Sequence, residues 1–336
     1  MPPVPFLPPE QQEQFLTSSG MIGDTSLTPA EADWLHSVNF HFLMGYARHY
    51  RNLVDKELYS GPKLFSDIKS LVDAEARFAV FLTPWIRRAE CHLRALTVKH
   101  YCSIQKHGEG YLDCSKWPGD QYRSHKIRSG ILRDIHRHGE PYVTRHFKKR
   151  ADLIGISVPK QYRKDDEETW LELINGLPLW SVIDSFTIGT LGKFIQNCGN
   201  QPEGSEPVSK LIAMELGITH RNFDVTVESF GITRNLVFHH QRLWMRPIPK
   251  SPGMPNDLEE RYSGFNFGST YKQAHFIALA NISKLLPQSE REQYLNELDT
   301  FMNENELYAL GIMQPPFLKF TPTRRDFGSR REHKRR

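Results

Sequence analysis

The sequence has no uninterrupted apolar stretch of the roughly 18 residues that a membrane-spanning helix needs, so a chain without a membrane span is expected. The opening Met1-Pro-Pro-Val-Pro-Phe-Leu-Pro-Pro is broken by proline too often to read as a signal peptide. The four cysteines, Cys91, Cys102, Cys114 and Cys198, form no Cys-x-x-Cys pair and no regular spacing with histidine. That argues against a zinc site and against a small disulfide framework, and it fits a reducing cytoplasm. Strand-period alternation is nearly absent and no internal repeat is visible, which sets aside sandwiches, barrels and solenoids. No carboxylate cluster suggests a metal, and no cofactor is expected.

What is present is enough apolar material for a sizeable core, 39% hydrophobic and 11% aromatic in 336 residues. The 24% of charged residues is ordinary for a globular protein. The formal charge of +4 is unevenly spread: residues 319–336 carry eight Lys/Arg against Asp326 and Glu332, which leaves the rest near −2. Such a basic tail could contact phosphates, although terminal charge runs are usually just solvated.

Helical signals follow one another along the chain. Thr28-Pro29-Ala30-Glu31 pairs a capping threonine with proline at the first helical position and a capping-box glutamate, opening a helix that should run to about Tyr50. Ile68, Leu71, Val72, Glu75, Phe78, Leu82, Trp85, Ile86, Ala89 and Leu93 recur at three- and four-residue steps, the longest amphipathic signal, with a kink or break expected at Pro84. A polar loop over 106–121 precedes a basic helical stretch near 131–149, and further helices are expected from Pro178, at Val208–Leu216 and over 223–245, the last stopped by Pro247. A Pro/Gly-rich linker (247–264) leads to helices over 271–286 and 290–303, the latter opened by Ser289-x-x-Glu292. The expected fold is an all-α bundle with additional C-terminal helices.

The chemistry concentrates in Thr233-Arg234-Asn235-Leu236-Val237-Phe238-His239-His240-Gln241-Arg242-Leu243-Trp244. A guanidinium grips phosphate with a planar fork, and an imidazole can move protons near neutral pH. By itself this is suggestive rather than specific, since many helices carry such residues on a wet face. On a continuous helix Asn235 and His239 would lie about 40° apart with Arg242 on the same stripe, whereas Arg234 would sit about 140° from His239. His240 would fall with Ile232, Leu236 and Leu243 on an apolar stripe facing the core, which makes it structural and leaves His239 as the imidazole on the polar face.

Arg234-Asn235-x-x-x-His239-His240-x-Arg242-Leu243-Trp244 resembles the signature of abortive-infection (Abi) family proteins of the HEPN superfamily. Other motifs appear in the family's order over about residues 15 to 315. Pro178-x-Trp180 with Asp184-Ser185-Phe186 and Gly189-Thr190-Leu191 is similar to the family's Pro-x-Trp segment, with Asp for Glu and a shifted glycine. Ile86-x-x-Ala89-Glu90-x-x-Leu93-Arg94 looks like its Ile-Glu-x-x-Leu-Arg helix, and His146-Phe147 falls at a His-Tyr pair. Phe40-His-Phe-Leu-Met-Gly45-Tyr46 resembles a Tyr-Tyr-Arg-Leu-Ser-Gly-Tyr motif with Phe42 in the arginine's place, and Met245 replaces the asparagine after Trp244.

The resemblance implies a HEPN-like helical domain over residues 15–318, with a core at 28–247 and a C-terminal helical part at 265–318, between a proline-rich extension (1–14) and the basic tail. It implies a metal-independent ribonuclease of phage defence in which Arg234, Asn235 and His239 act on RNA, supported by His240, Arg242, Glu90 and Arg94. Because HEPN nucleases pool two such motifs across a two-fold axis and this chain carries one, a homodimer is implied. A regulatory or antitoxin RNA is a further expected partner, and a non-catalytic RNA-binding module is the alternative. Taken alone, Glu90 and Arg94 read as an intrahelical ion pair, Trp180 and Phe186 as core, and His136 and His138 as surface residues.

Overall fold

The computed structural model of the protein describes residues 6–24, 26–117, 120–198, 205–263 and 274–313. Among these residues there are fifteen α-helices and no strand, an all-α fold. The basic tail, residues 314–318 and most of the expected start of the 271–286 helix lie outside the described residues.

The N-terminal half shows how local chemistry sets boundaries. The end of the proline-rich extension and the first residues of the expected domain together form α1 (Pro9–Ser18), with proline at its first position and Leu16 fully buried. The Thr28 capping box forms as expected: its hydroxyl accepts from the Glu31 N–H at 3.3 Å, and the Thr28 N–H donates to the Glu31 carboxylate at 2.9 Å. The helix it opens is short, however. α2 (Pro29–Ser37) ends at an extended Val38, and Asn39 caps a new helix, α3 (Phe40–Asp55), by accepting from the Phe42 N–H at 3.2 Å.

α4 (Phe65–Ile104) spans 40 residues and continues through Pro84, so of the kink or break expected there the break does not occur. The proline leaves the Val80 carbonyl without its helical donor. Both Val80 and Pro84 are exposed, so water can take that place.

By contrast, the basic stretch expected as one helix is two. α5 (Gln121–His138) stops at Gly139, and Pro141 opens α6 (Pro141–Ile154) after an extended Glu140, the conformation that a following proline favours. Next come α7 (Glu167–Ile174), α8 (Leu179–Val182), α9 (Ile188–Asn197) and α10 (Val208–Leu216), the last with its expected bounds. α11 (His220–Phe238) is followed by α12 (Asn256–Arg261), α13 (His275–Leu285), α14 (Arg291–Glu304) and α15 (Glu306–Met313). α12 falls in the expected linker and is secured through Arg261 to Asp299 at 2.6 Å.

Two compact units emerge, and neither is one stretch of chain. Among the described residues, the first draws on those within 6–85, 233–280 and 292–313, the second on those within 86–232 and 281–291. The first unit's core is largely aromatic: Tyr46 stacks on Trp244 with centroids 5.8 Å apart, and Phe78 meets Phe301 at 4.9 Å. In the second, Phe186 packs edge-on to Phe194 at 5.7 Å and Phe147 to Trp170 at 5.6 Å. Phe186 is core as expected, but Trp180 is half exposed, its ring lying on Gly108, where a Cβ would come within 2.7 Å. His138 is exposed, whereas His136 packs against Trp170 at 4.8 Å.

Candidate functional site

α11 ends at Phe238, seven residues short of the expected boundary, and the way it ends defines the site. Two reversed hydrogen bonds close it: the Gln241 N–H reaches back to the Leu236 carbonyl at 2.8 Å, and the His240 N–H to Val237 at 3.1 Å. With His240 at a φ of 52° this is a Schellman stop, in which the left-handed position usually belongs to glycine. His240 is therefore exposed and not on a buried apolar stripe, which corrects the helical-face expectation.

The apolar period of 232–243 does not carry the helix past this stop, and two donors just beyond it are taken elsewhere. Continuing it would require the Leu243 and Trp244 N–H groups to bond carbonyls four residues back. Both instead donate to the Glu75 carboxylate of α4, at 3.1 Å each. The hydroxyls of Tyr46 and Tyr308 donate to the same carboxylate at 3.1 and 2.9 Å. Burial pushes the Glu75 carboxyl above its ordinary range, and these four hydrogen bonds work in the opposite direction.

Trp244 is the deepest anchor of the segment. Its ring is fully buried, stacks on Tyr46, donates to the Leu307 carbonyl at 3.2 Å and occupies the space that any Cβ at Gly311 would need. Met245 then adopts a φ of 53° and donates its N–H to the Gly311 carbonyl at 3.0 Å. Asparagine tolerates that left-handed conformation better than most residues, which suits the family's choice at this position.

Arg242 does not share a stripe with Asn235 and His239. Its guanidinium lies over Tyr46 at 5.8 Å, bonds the Trp244 carbonyl, and passes so near α3 that a Cβ on Gly45 would stand 2.9 Å from its Nε. The Gly45-Tyr46 pair thus makes room for Arg242 and supplies the ring beneath it.

Four of the expected residues do gather at the helix end. Asn235, His239 and His240 are exposed, and the half-buried Arg234 donates to the Asn235 side-chain oxygen at 3.2 Å while its guanidinium covers the Phe238 ring at 4.7 Å. Glu90 and Arg94 belong to the second unit. They pair at 2.6 Å, and Arg94 also holds the Ile183 and Phe186 carbonyls, a clamp on the turn before α9.

The family model for Abi-like proteins matches residues 33–245, nearly two thirds of the chain. The chain belongs to the Abi-like family. No match was found among curated proteins or among solved structures. Within this Abi-like protein the match closes at Met245, so it takes in both the exposed helix end and the anchored Leu243-Trp244 segment.

Sequence reasoning gave no site role to Glu75, Tyr46, His49 or Phe238, although Tyr46 stood in the Gly45-Tyr46 motif and Glu75 in the long amphipathic stripe. Glu75 carried a signal, because a carboxylate within an otherwise apolar stripe has to find donors on folding. His49 gave none. It meets the edge of Trp244 at 6.4 Å, and burial together with Arg242 and Arg48 lowers its pKa to about 4. His275 is 1% exposed with neither ring nitrogen hydrogen-bonded, and burial with Arg246 and Arg242 lowers it to about 3.

Proposed function

We propose that this Abi-like protein is a metal-independent endoribonuclease of phage defence, of HEPN type, that works as a homodimer. Family membership associates the chain with abortive infection. The observation that carries the catalytic part is the cluster at the end of α11, where a guanidinium, an amide and two imidazoles are presented on a rigidly stopped helix.

In the proposed reaction the RNA 2′-hydroxyl attacks the adjacent phosphorus. Its proton passes to an imidazole, the bond to the 5′-oxygen breaks, and that oxygen takes up a proton. The products are a 2′,3′-cyclic phosphate and a 5′-hydroxyl. DNA lacks the nucleophile. His239 is the proton-transfer group, a role typically worth about 10²–10⁴-fold, and His240 beside it is the second imidazole. Arg234 stabilises charge on the phosphorane and Asn235 positions the phosphate. One chain supplies one such set, and a two-fold axis near the helix end would bring two sets into one cleft.

The test is mixed RNA incubated with the purified protein in excess EDTA, beside an Arg234→Ala/His239→Ala variant. Cleavage that leaves cyclic phosphate ends, persists in chelator and disappears in the variant is the expected result. Strict dependence on added Mg²⁺ or Mn²⁺ would overturn the metal-free mechanism, and stoichiometric binding without turnover would mark a non-catalytic RNA-binding module. Full activity from a monomer, measured by light scattering at working concentration, would remove the dimer.

A further inference from the structure

Phe238 is out of place on its helix. The other two phenylalanines of α11, Phe223 and Phe230, are at most 1% exposed, whereas Phe238, the helix's last residue, is 40% exposed. Its surroundings are not those of an apolar contact surface: Asn235, His239, His240 and Gln241 are all exposed and polar, and Arg234 lies over the ring itself. Protein interface cores are depleted in charged residues, and a partner burying this ring would have to desolvate a cation and several hydrogen-bonding groups with it.

A nucleobase asks for the opposite arrangement. It offers a flat face for stacking, an edge of donors and acceptors that suits an amide such as Asn235, and a phosphate attached nearby for cationic groups. The cation–π contact with Arg234 holds the ring in place before any ligand arrives, which lowers the ordering cost of binding. In a duplex the base faces are already covered by their neighbours, so only an unpaired base can use the ring.

We propose that Phe238 is a base-stacking platform that selects single-stranded RNA, placing an unpaired base beside His239. This rests on the ribonuclease reading and adds to it the class of RNA accepted and the residue that accepts it.

Binding is measured by fluorescence anisotropy with a labelled 2′-O-methyl oligoadenylate of about ten nucleotides, within the range that single-strand sites cover. Blocking the 2′-oxygen separates binding from cleavage. An abasic ribose-phosphate chain of the same length and a blunt RNA duplex are the comparisons. The expected result is that the full-length protein prefers the oligoadenylate to both. Phe238→Ala should weaken oligoadenylate binding by about tenfold or more, leaving abasic binding unchanged, and Phe238→Trp should restore it.

Equal affinity of Phe238→Ala and the parent protein for oligoadenylate, or equal affinity of the parent for the abasic chain, would overturn the proposal. So would a Phe238→Ala protein that light scattering shows to have become monomeric, since the ring would then be a subunit anchor. If the parent protein still cleaves RNA in those cases, the platform falls alone. If it binds no RNA of any kind, the ribonuclease reading falls with it.

Discussion

His240, like Met245, occupies a position in the motif where the backbone prefers another residue. A Schellman stop needs a left-handed residue, glycine meets that need at no steric cost, and an L side chain there costs about 1 kcal/mol, although histidine is among the types that tolerate it best. An exposed imidazole held in this conformation is better explained by what the ring does than by helix termination, since strained positions cluster at functional sites. His240→Gly should therefore keep or slightly raise the melting temperature, the relief of strain being partly offset by the freer unfolded chain, while lowering RNA turnover by about tenfold or more. His239→Ala, at the exposed position next to it, should lower turnover by about 10² or more with little change in stability. Full turnover in His240→Gly would reduce that residue to a helix stop, and an active His239→Ala beside an inactive His240→Gly would exchange their roles.

Glu75 anchors the segment beyond α11 by holding two backbone donors just past the helix stop. Glu75→Gln keeps the length of the side chain but turns an amide donor toward groups that are donors already, leaving at least one of them unpaired. A loss of about 1–3 kcal/mol in denaturant unfolding is expected, with faster hydrogen exchange at the Leu243 and Trp244 amides than elsewhere in the unit. Unchanged exchange at those two amides would mean that Trp244 alone holds the segment. The same contact explains what could be read in advance and what could not. Caps and breakers act within a few residues, so the Thr28 box and the bounds of α10 were legible in the sequence. The course of the chain beyond α11 was not, because the carboxylate that holds it lies on α4, some 170 positions away in the chain. Periodicity placed His240 on a buried stripe of a helix that has already ended. α12 and α15 escaped notice for a related reason: they are short, and side-chain contacts to distant parts of the chain stabilise them more than their own propensity does. Of the candidate site, Asn235 and His239 were legible as neighbours on an exposed face, whereas His240 was assigned to a buried stripe and Arg234 was placed off their line; the inward turn of Arg242 depends on Gly45 and Tyr46, which no local pattern connects to it.

At the scale of the whole molecule, His49 and His275 give the chain a defined response to acid. Both are pressed toward the neutral form by burial first and by nearby arginines second, Arg242 and Arg48 for His49, Arg246 and Arg242 for His275. In the unfolded chain each imidazole takes up its proton near the ordinary value of 6.5, whereas in the folded chain His49 does so only at about 4 and His275 at about 3. Below 6.5 the unfolded state therefore binds more protons, and acidification favours unfolding. The stability that depends on neutral imidazoles is complete above about pH 6.5 and declines as the pH falls through 4 and then 3. Across that window each histidine adds up to about 1.4 kcal/mol per pH unit to the slope of unfolding free energy, a ceiling that partial solvent access reduces for the half-buried His49. His275→Phe tests this most directly. It removes a titrating group and two buried nitrogens that lack hydrogen bonds, so stability at pH 7 should stay level or rise, because an apolar ring of similar shape leaves no polar atom unsatisfied. The decline between pH 6.5 and 4 should become shallower by about one proton's worth, read from urea midpoints at half-unit pH intervals. A curve parallel to that of the parent protein across this window would show that His275 is protonated to the same extent in both states, and the acid response would then have to come from His49 and the carboxylates.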